Sequence, residues 1–300
     1  MRRPVTYSLA AMALLALYLY GFNGNAELAK SPSAIRWMAA RWSADVAADM
    51  SFGWLIPLVS LYALWLRRKL ILAVEAAPDW RGFFLVIGSL ALYWAGVQGQ
   101  QTRLTLLSLV LLLWSTPFAY FGWPMARLLV FPCFYLIFCI PMSFLDSLTF
   151  PLRMFASMIS AGILNGLGIA TLRTGTAFHC AGYSFEVDDP CSGLRSVLVM
   201  TALTVAYAFF TQTGRFRQFL LFLSAFPLAV AGNILRIVMV GVVAFFFGQE
   251  SAMGYYHDYS GYVFFFAAIG LMVVAASLIN KDWKPAWTTL LTRLRAGSPT

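Results

Sequence analysis

The longest apolar stretch of the chain runs from Arg217 to Phe247 and reads RQFLLFLSAFPLAVAGNILRIVMVGVVAFFF. It exceeds the roughly 20 residues that cross the hydrocarbon core of a bilayer. Arg236 interrupts this stretch, and Asn233 precedes it by one helical turn on the same face. An ionisable side chain inside a membrane span is costly, and it marks either a functional residue or a structural ion pair. Counting from Arg217, we expect Arg236 near the outer surface, with Asn233 orienting its guanidinium.

The composition of the whole chain indicates a membrane protein. Of the 300 residues, 61% are hydrophobic and only 11% are charged, which is too apolar for a soluble domain of this length. We therefore predict an all-α integral membrane protein, with one membrane domain over residues 1–280 and a cytoplasmic basic tail over residues 281–300. About eight transmembrane helices are expected, at roughly 5–22, 52–66, 82–98, 104–121, 124–144, 195–212, 217–247 and 258–279.

The positions of lysine and arginine orient these spans. Basic residues cluster before the first span, after the second, between the sixth and seventh, and after the eighth. Because such residues favour the cytoplasmic side, both termini are predicted in the cytoplasm and residues 145–194 and 249–257 outside. The net charge of +9 lies mostly at span ends and does not indicate nucleic-acid binding. Four cysteines make no disulfide framework, and Cys133 and Cys139 are expected to be packing residues of the fifth span.

The long outer segment has two parts. Its first part is apolar, and Phe150-Pro151-Leu152-Arg153 is expected to start an interfacial or re-entrant helix. Its second part contains two alternating runs, residues 176–180 and 183–187, on either side of a two-residue turn. This pattern predicts a small extracytoplasmic β-hairpin that leads directly to Cys191.

The residues around Cys191 are typical of a helix start. Asp189 is a good N-cap and Pro190 suits the first helical position, so Cys191 is expected in the first turn. The helix dipole there lowers the pKa of a thiol, and Arg195 acts in the same direction while Asp188 and Asp189 oppose it. A thiol with a lowered pKa favours a nucleophile over a small buried cysteine.

A histidine lies at the same predicted level. His257 precedes the last span within Tyr255-Tyr256-His257-Asp258-Tyr259, where, taken alone, it is explained as an interfacial residue of an aromatic belt. However, Cys191, Arg236 and His257 are all predicted at the outer membrane surface. A thiol nucleophile, an imidazole acid/base and a cation for the oxyanion are the groups that a cysteine acyl-transfer enzyme needs.

Two other interpretations stay open on this pattern. The first is a non-enzymatic transporter or channel with Arg236 in an anion pathway, although the chain shows no convincing internal repeat. The second is a metal-dependent membrane hydrolase with His179, Cys180, Cys191 and His257 as ligands, although their spacing is not that of a recurrent zinc site. His179 and Cys180 are equally explained as hairpin side chains, and Cys180 also as a disulfide partner.

Three motifs follow one another in the chain: Pro190-Cys191-Ser192-Gly193-Leu194-Arg195, then Asn233-Ile234-Leu235-Arg236-Ile237, then His257 before the last span. Together they resemble the exosortase/archaeosortase family of multi-pass membrane proteins, over roughly residues 40–280. The stretch Gly53-Trp54-Leu55-Ile56-Pro57-Leu58 is also similar to the family's early segment, with Phe52 where the family often has histidine.

The resemblance implies a cysteine protease or transpeptidase of the cell (inner) membrane, with its active site on the extracytoplasmic side. Such enzymes are thought to process membrane-anchored proteins that end in a sorting signal: a Pro-Glu-Pro-like motif, a transmembrane helix and a basic tail. By position, Cys191 is the nucleophile, His257 the general acid/base, and Arg236 the group that stabilises the oxyanion. The supporting residues are Ser192, Gly193, Arg195 and Asn233. We expect no cofactor and no metal ion, and the sequence leaves the oligomeric state open.

Overall fold

The computed structural model describes residues 2–22, 33–43, 51–141, 144–180, 183–186, 194–248 and 257–280. Within these ranges only the backbone is described for residues 2–6, 51, 144–149, 183, 185–186, 194–197 and 257–265. The chain packs into two compact units, Met1–Phe150 and Pro151–Thr300.

The first unit is helical. It contains α1 (Arg2–Phe22), α2 (Ala34–Ser43), α3 (Leu55–Ala73), α4 (Trp80–Gln98) and α5 (Thr102–Tyr135), with short 3-10 helices at Ser51–Trp54 and Leu136–Cys139. Two tyrosines attach α1 to its neighbours: Tyr20 hydrogen bonds Ser108 Oγ at 2.8 Å, and the Tyr93 hydroxyl donates to the Leu19 carbonyl at 3.1 Å. Each hydroxyl therefore finds a protein partner, as polar groups in apolar surroundings must.

Helix α5 contains a chain reversal at Gly122. This residue has φ 71° and ψ −168°, a backbone conformation that favours glycine. Trp114 in the first arm contacts Phe134 in the second, with ring centroids 5.3 Å apart. A continuous helix would separate these residues by about 30 Å, so the chain must turn back on itself between them. The two arms correspond to the fourth and fifth predicted spans.

Side chains of α3 bind carbonyl groups of α5. Pro132 has no N–H to donate to the carbonyl of Leu128 four residues earlier, and Arg67 Nη1 donates to that oxygen instead, at 3.3 Å. Ser60 Oγ donates to the carbonyl of Pro132 at 2.6 Å. The second span was predicted to end before Arg67, but α3 continues to Ala73. Arg67 therefore lies within the helix and stabilises its neighbour.

Helices α4 and α5 come into close contact at Gly82, where an added Cβ would overlap the backbone of Ala119. We expect Gly82→Ala to push the helices apart and to lower the free energy of unfolding by about 1–3 kcal/mol. Gly88→Ala is the matched control, because a Cβ at Gly88 on the same helix meets no described atom within 4 Å. The measurement is the thermal unfolding midpoint in detergent. Equal midpoints for the two variants would contradict this packing.

The second unit combines helices with a small sheet. Its elements are α6 (Phe144–Gly166, which begins in the first unit), β1 (Thr171–Thr174), β2 (Ala177–Cys180), β3 (Tyr183–Glu186), α7 (Leu194–Thr211), α8 (Arg215–Phe247) and α9 (His257–Asn280). A helix was predicted to start at Phe150, but α6 begins six residues earlier, at Phe144.

The three strands form an antiparallel sheet in the order β1-β2-β3. Strands β2 and β3 pair with Cys180 opposite Tyr183, which confirms the predicted hairpin. Strand β1 was not predicted, and it pairs with β2 so that Leu172 lies opposite His179. Phe178 on β2 is completely buried in an apolar cluster with residues of α6 and α8, so these helices anchor the sheet.

Among the described residues, three stretches are long and apolar enough to cross a bilayer: α4, α8 and Thr102–Cys139, which includes both arms of α5. Shorter apolar stretches lie within α1, α7 and α9, at Tyr7–Phe22, Leu198–Thr211 and Phe266–Asn280. These findings confirm a mainly helical protein with membrane-spanning segments. The total of about eight spans and the single domain over residues 1–280 stay predictions.

Candidate active site

Helix α8 carries Arg236 and packs against different neighbours along its length. Its first half joins α7 and α9 in an apolar cluster of Met200, Ala208, Leu221, Ala229, Ala268, Met272 and Ala276. Its second half joins α6 and the sheet region in a cluster of Ala156, Ala161, Leu164, Ile169, Phe178, Ile237, Val238 and Val240. Arg236 lies where these two sets of neighbours meet.

The side chains of Asn233 and Arg236 are held inside the unit to different degrees. Asn233 is only 6% exposed, whereas Arg236 is half-buried. Their spacing of three residues places them on one side of α8, as the sequence analysis expected. Beyond Arg236, residues 237–247 continue the same helix. With 33 residues, α8 is about 50 Å long, against about 30 Å for the hydrocarbon core.

Contacts with α6 fix α8 on either side of Arg236. Ser160 Oγ donates to the carbonyl of Ile234 at 3.4 Å. At Gly241 an added Cβ would lie 2.8 Å from Leu164 Cδ1, so any larger residue would require the Leu164 side chain to shift. These positioning residues were not predicted from the sequence. Small residues on one side of α6 indicate them, because such residues allow another helix to approach closely: Ala156, Ser157, Ser160 and Ala161.

The start of α7 lies near the level of Arg236. Helices α7 and α8 pack together and are joined by residues 212–214 alone, so they run antiparallel. Leu194 lies nineteen residues before Thr213, and Arg236 lies twenty-three residues after it. At a rise of about 1.5 Å per residue, Leu194 and Arg236 differ in height by about 6 Å along the helix axes.

The predicted nucleophile segment, Cys191 to Gly193 including Ser192, lies outside the described residues. Of Arg195, only the backbone is described, in the first turn of α7. Because Cys191 precedes Leu194 by three residues, chain length keeps its Cα within about 11 Å of the Cα of Leu194.

His257 is the first residue of α9, and only its backbone is described. Gly232 of α8 meets Ala268 of α9, where an added Cβ on the glycine would lie 3.9 Å from the Cβ of the alanine. Leu221 near the start of α8 shares a cluster with Ala276 near the end of α9, so these helices also run antiparallel. Counting back from Ala268 puts His257 about 10 Å beyond Arg236 along the axis, at the same end of the unit.

At this end of the second unit, Arg236 lies between the levels of two helix starts, about 6 Å beyond the start of α7 and about 10 Å short of the start of α9. The N-termini of α7 and α9 carry partial positive charge, and Arg236 adds a full positive charge between their levels. Such an end favours negative charge, whether on a thiolate or on the oxyanion of an acyl-transfer reaction.

The hairpin separates His179 from Cys180. Successive side chains of a strand point to opposite faces. The side chain of His179 is exposed, whereas Cys180 is half-buried against the α6–α8 cluster, with its Sγ 3.4 Å from Thr171 Oγ1. A single metal ion therefore cannot bind both residues. The described residues hold no cluster of three His, Cys, Asp or Glu side chains suited to a metal ion.

The cysteines of the fifth predicted span are packing residues. Cys133 and Cys139 are buried, and Cys139 Sγ donates to the carbonyl of Leu136 at 2.8 Å. None of the described cysteines forms a disulfide. A disulfide between Cys180 and Cys191 stays an untested alternative, because Cys191 lies outside the described residues.

The early segment around Gly53 has a structural explanation. An added Cβ at Gly53 would overlap the indole of Trp42, which also contacts Trp54 edge to face at 4.9 Å. The same indole donates from Nε1 to the carbonyl of Cys139 at 2.9 Å. Gly53 is therefore needed for packing within the first unit.

Comparison with known families gives one match. The model of the family described as Transmembrane exosortase (Exosortase_EpsH) matches residues 42–274. No curated protein and no solved structure matches the chain. The matched range begins at Trp42, covers well over half of the chain and contains the positions of Cys191, Arg236 and His257. The chain therefore belongs to the transmembrane exosortase family.

Proposed function

We propose that this protein is a membrane cysteine peptidase or transpeptidase. It cleaves the C-terminal sorting signal of membrane-anchored proteins at the extracytoplasmic face. The signal it recognises is a Pro-Glu-Pro-like motif followed by an apolar helix and a basic tail. The substrate is itself a membrane protein, whose helix reaches the enzyme within the lipid bilayer.

The reaction runs through a thioester. The thiolate of Cys191 attacks the carbonyl carbon of the scissile peptide, and the oxygen becomes an oxyanion held by Arg236 and by backbone N–H groups near Ser192 and Gly193. The C–N bond then breaks while His257 donates a proton to the leaving amine. Water or an acceptor amine then attacks the thioester carbonyl and gives its proton to His257, and the C–S bond breaks to release Cys191 as the thiolate.

The observation that carries this proposal is the family match over residues 42–274. The geometry of the second unit supports it independently, because α7 and α9 both begin at the end where Arg236 lies. A cation between the levels of two helix N-termini favours negative charge, such as the oxyanion of acyl transfer.

The orientation of the chain in the membrane follows from its basic residues. In this proposal both termini lie in the cytoplasm. Residues 145–194 and 249–257 lie on the extracytoplasmic side of the cell (inner) membrane. The basic cluster of Arg215 and Arg217 at the start of α8 then lies inside, at the opposite end of that helix from Phe247.

The topology predicts which engineered cysteines an impermeant thiol reagent reaches. In a background without Cys191, a cysteine at His179 should be labelled from outside intact spheroplasts, because that side chain is exposed. Cysteines at Arg215 and Lys284 should be labelled only after the membrane is permeabilised. Labelling of either position from outside would contradict the proposed orientation.

The proposal as a whole is tested by reconstitution. The purified protein is placed in liposomes with a reporter that ends in a Pro-Glu-Pro-like motif, an apolar helix and a basic tail. We expect cleavage that iodoacetamide blocks and that EDTA leaves unchanged. Cleavage that EDTA blocks and iodoacetamide spares would favour a metal-dependent hydrolase. No cleavage, with anion flux lost on substitution of Arg236, would favour a channel.

A further inference from the structure

The two edges of the small sheet differ in how their backbone groups are paired. At the β1 edge, Asn165 binds both outward groups of one residue: its Oδ1 accepts from Thr171 N–H at 2.8 Å, and its Nδ2 donates to the Thr171 carbonyl at 3.0 Å. The amide side chain thus occupies the place of a neighbouring strand. Proteins block exposed sheet edges in such ways to prevent pairing with another chain.

The register of the sheet shows which groups of β3 point outward. Cys180 and Tyr183 flank a two-residue turn, so they exchange hydrogen bonds with each other, and the pattern alternates along the strand. Ser184 and Glu186 therefore direct their N–H and C=O groups away from β2. The same alternation predicts that the backbone of Thr171 points outward on β1, as its bonds to Asn165 confirm.

The β3 edge carries no such block in the described part of the chain. Among the described strands only β2 pairs with β3, so β3 is an edge of the described sheet. An open edge offers a new strand a regular row of donors and acceptors, and extended peptides bind many proteins in this way.

The chain connects this open edge to the predicted nucleophile. Cys191 follows Glu186 by five residues, so its Cα lies within about 18 Å of the Cα of Glu186. A peptide strand of five or six residues covers the same distance. In a peptide that pairs with β3, the residues next to the scissile bond would therefore lie within reach of Cys191.

We infer that β3 is the binding edge for the substrate: the extended segment beside the scissile bond adds to the sheet as a fourth strand, paired with the backbone of Ser184 and Glu186. This inference rests on the proposed function, since it takes Cys191 as the nucleophile. Pairing through the backbone holds a peptide in the extended form that a nucleophile can approach, and it satisfies polar groups at a membrane surface. It also tolerates varied side chains, as a processing enzyme with several substrates requires.

Proline substitutions test the inference. Ser184→Pro removes an outward N–H and places a ring on the open edge, while the bonds between β2 and β3 stay intact. Glu186→Pro does the same two residues further on. The matched control is Arg173→Pro, because the N–H of Arg173 points outward on the opposite edge by the same alternation. All variants are reconstituted in full length with the reporter.

We expect Ser184→Pro and Glu186→Pro each to lower kcat/KM for the reporter by about tenfold to a hundredfold. The loss should fall on KM, because backbone pairing holds substrate and transition state alike. Alkylation of Cys191 by iodoacetamide, which needs no paired strand, should keep its wild-type rate. Arg173→Pro should keep wild-type kcat/KM.

Three outcomes would overturn the inference. The first is wild-type kcat/KM in both β3 proline variants, while Cys191→Ala is inactive. The second is an equal loss in Arg173→Pro or a slowed alkylation of Cys191, which would make the hairpin a support for the nucleophile. The third is a change of oligomeric state on cross-linking with unchanged KM, which would assign the edge to a second copy of the chain. Cleavage by Cys191→Ala would instead refute the proposed function itself.

Discussion

Replacement of Arg236 by lysine is expected to lower turnover of the reporter by about a hundredfold to a thousandfold, the usual cost of losing one oxyanion donor. Arginine offers a planar fork of donors that can be aimed at one oxygen, whereas lysine is a mobile point charge. The backbone around Arg236 is fixed by α6, through Ser160 and through the contact of Leu164 with Gly241. A lysine ammonium cannot reproduce the direction that this fixed backbone gives to the guanidinium.

The loss should fall mainly on kcat, because the oxyanion exists only in the transition state and the intermediate beside it. Reporter protein should still co-purify with Arg236→Ala and Arg236→Lys, since its helix docks elsewhere. Arg217→Lys is the control, because Arg217 lies near the opposite end of the same helix. The measurements are cleavage rate, co-purification and detergent-extracted yield for each variant.

A structural role for Arg236 predicts the reverse pattern. If the guanidinium pairs with a carboxylate such as Asp146 or Asp258, Arg236→Ala should lower the yield of folded protein, and lysine should restore most of it. Normal cleavage by Arg236→Lys together with a poor yield for Arg236→Ala would remove Arg236 from the catalytic residues. Cys191 and His257 would then form the active site without it.

The long apolar helices were predictable because a backbone group in an apolar run within lipid must find its partner inside the run, which a helix provides. The β-hairpin was predictable from two alternating runs on either side of a two-residue turn. Helix α2 was not predicted, because its ten residues include Arg36 and Arg41 and have no apolar length. Strand β1 was missed because Thr171-Leu172-Arg173-Thr174 lacks alternating apolar residues; Leu172, its large apolar side chain, is 70% exposed.

The candidate site was predictable only as residue types. Arg236 is prominent in the sequence because charge is rare inside an apolar run. Its surroundings depend on contacts between distant segments, such as Leu164 with Gly241, and spacing along the chain does not reveal these. The block at Thr171 depends on Asn165, whose amide is unremarkable in the sequence until the register of the sheet is known.

Replacement of Cys191 has the largest expected effect. Cys191→Ala should abolish cleavage of the reporter without loss of folded protein, because no other group supplies the attacking atom. Cys191→Ser should be nearly inactive, since an alcohol does not ionise as a thiol does in the first turn of a helix. Cys133→Ala and Cys139→Ala are the matched controls, because both thiols are buried packing residues. Both should remain active, with at most a modest loss of stability from the vacated volume.

Full activity of Cys191→Ala would rule out the thiol mechanism. Partial activity of Cys191→Ser, with normal pH dependence, would show that the site activates a hydroxyl through His257 instead. Loss of activity in Cys139→Ala, with yield unchanged, would require a catalytic role for a residue that the structure places in the packed interior of the first unit.

A thioester at Cys191 is the proposed carrier of the substrate's acyl group, and it can be trapped directly. The measurement is acid quenching of the reconstituted enzyme during a single turnover of the reporter, followed by proteolysis and mass spectrometry of the covalent adduct. We expect the reporter fragment to be attached to Cys191 and to be released by hydroxylamine, and we expect Cys191→Ala to give neither adduct nor cleavage. An adduct at any other residue, or cleavage by Cys191→Ala at the wild-type rate, would contradict this mechanism.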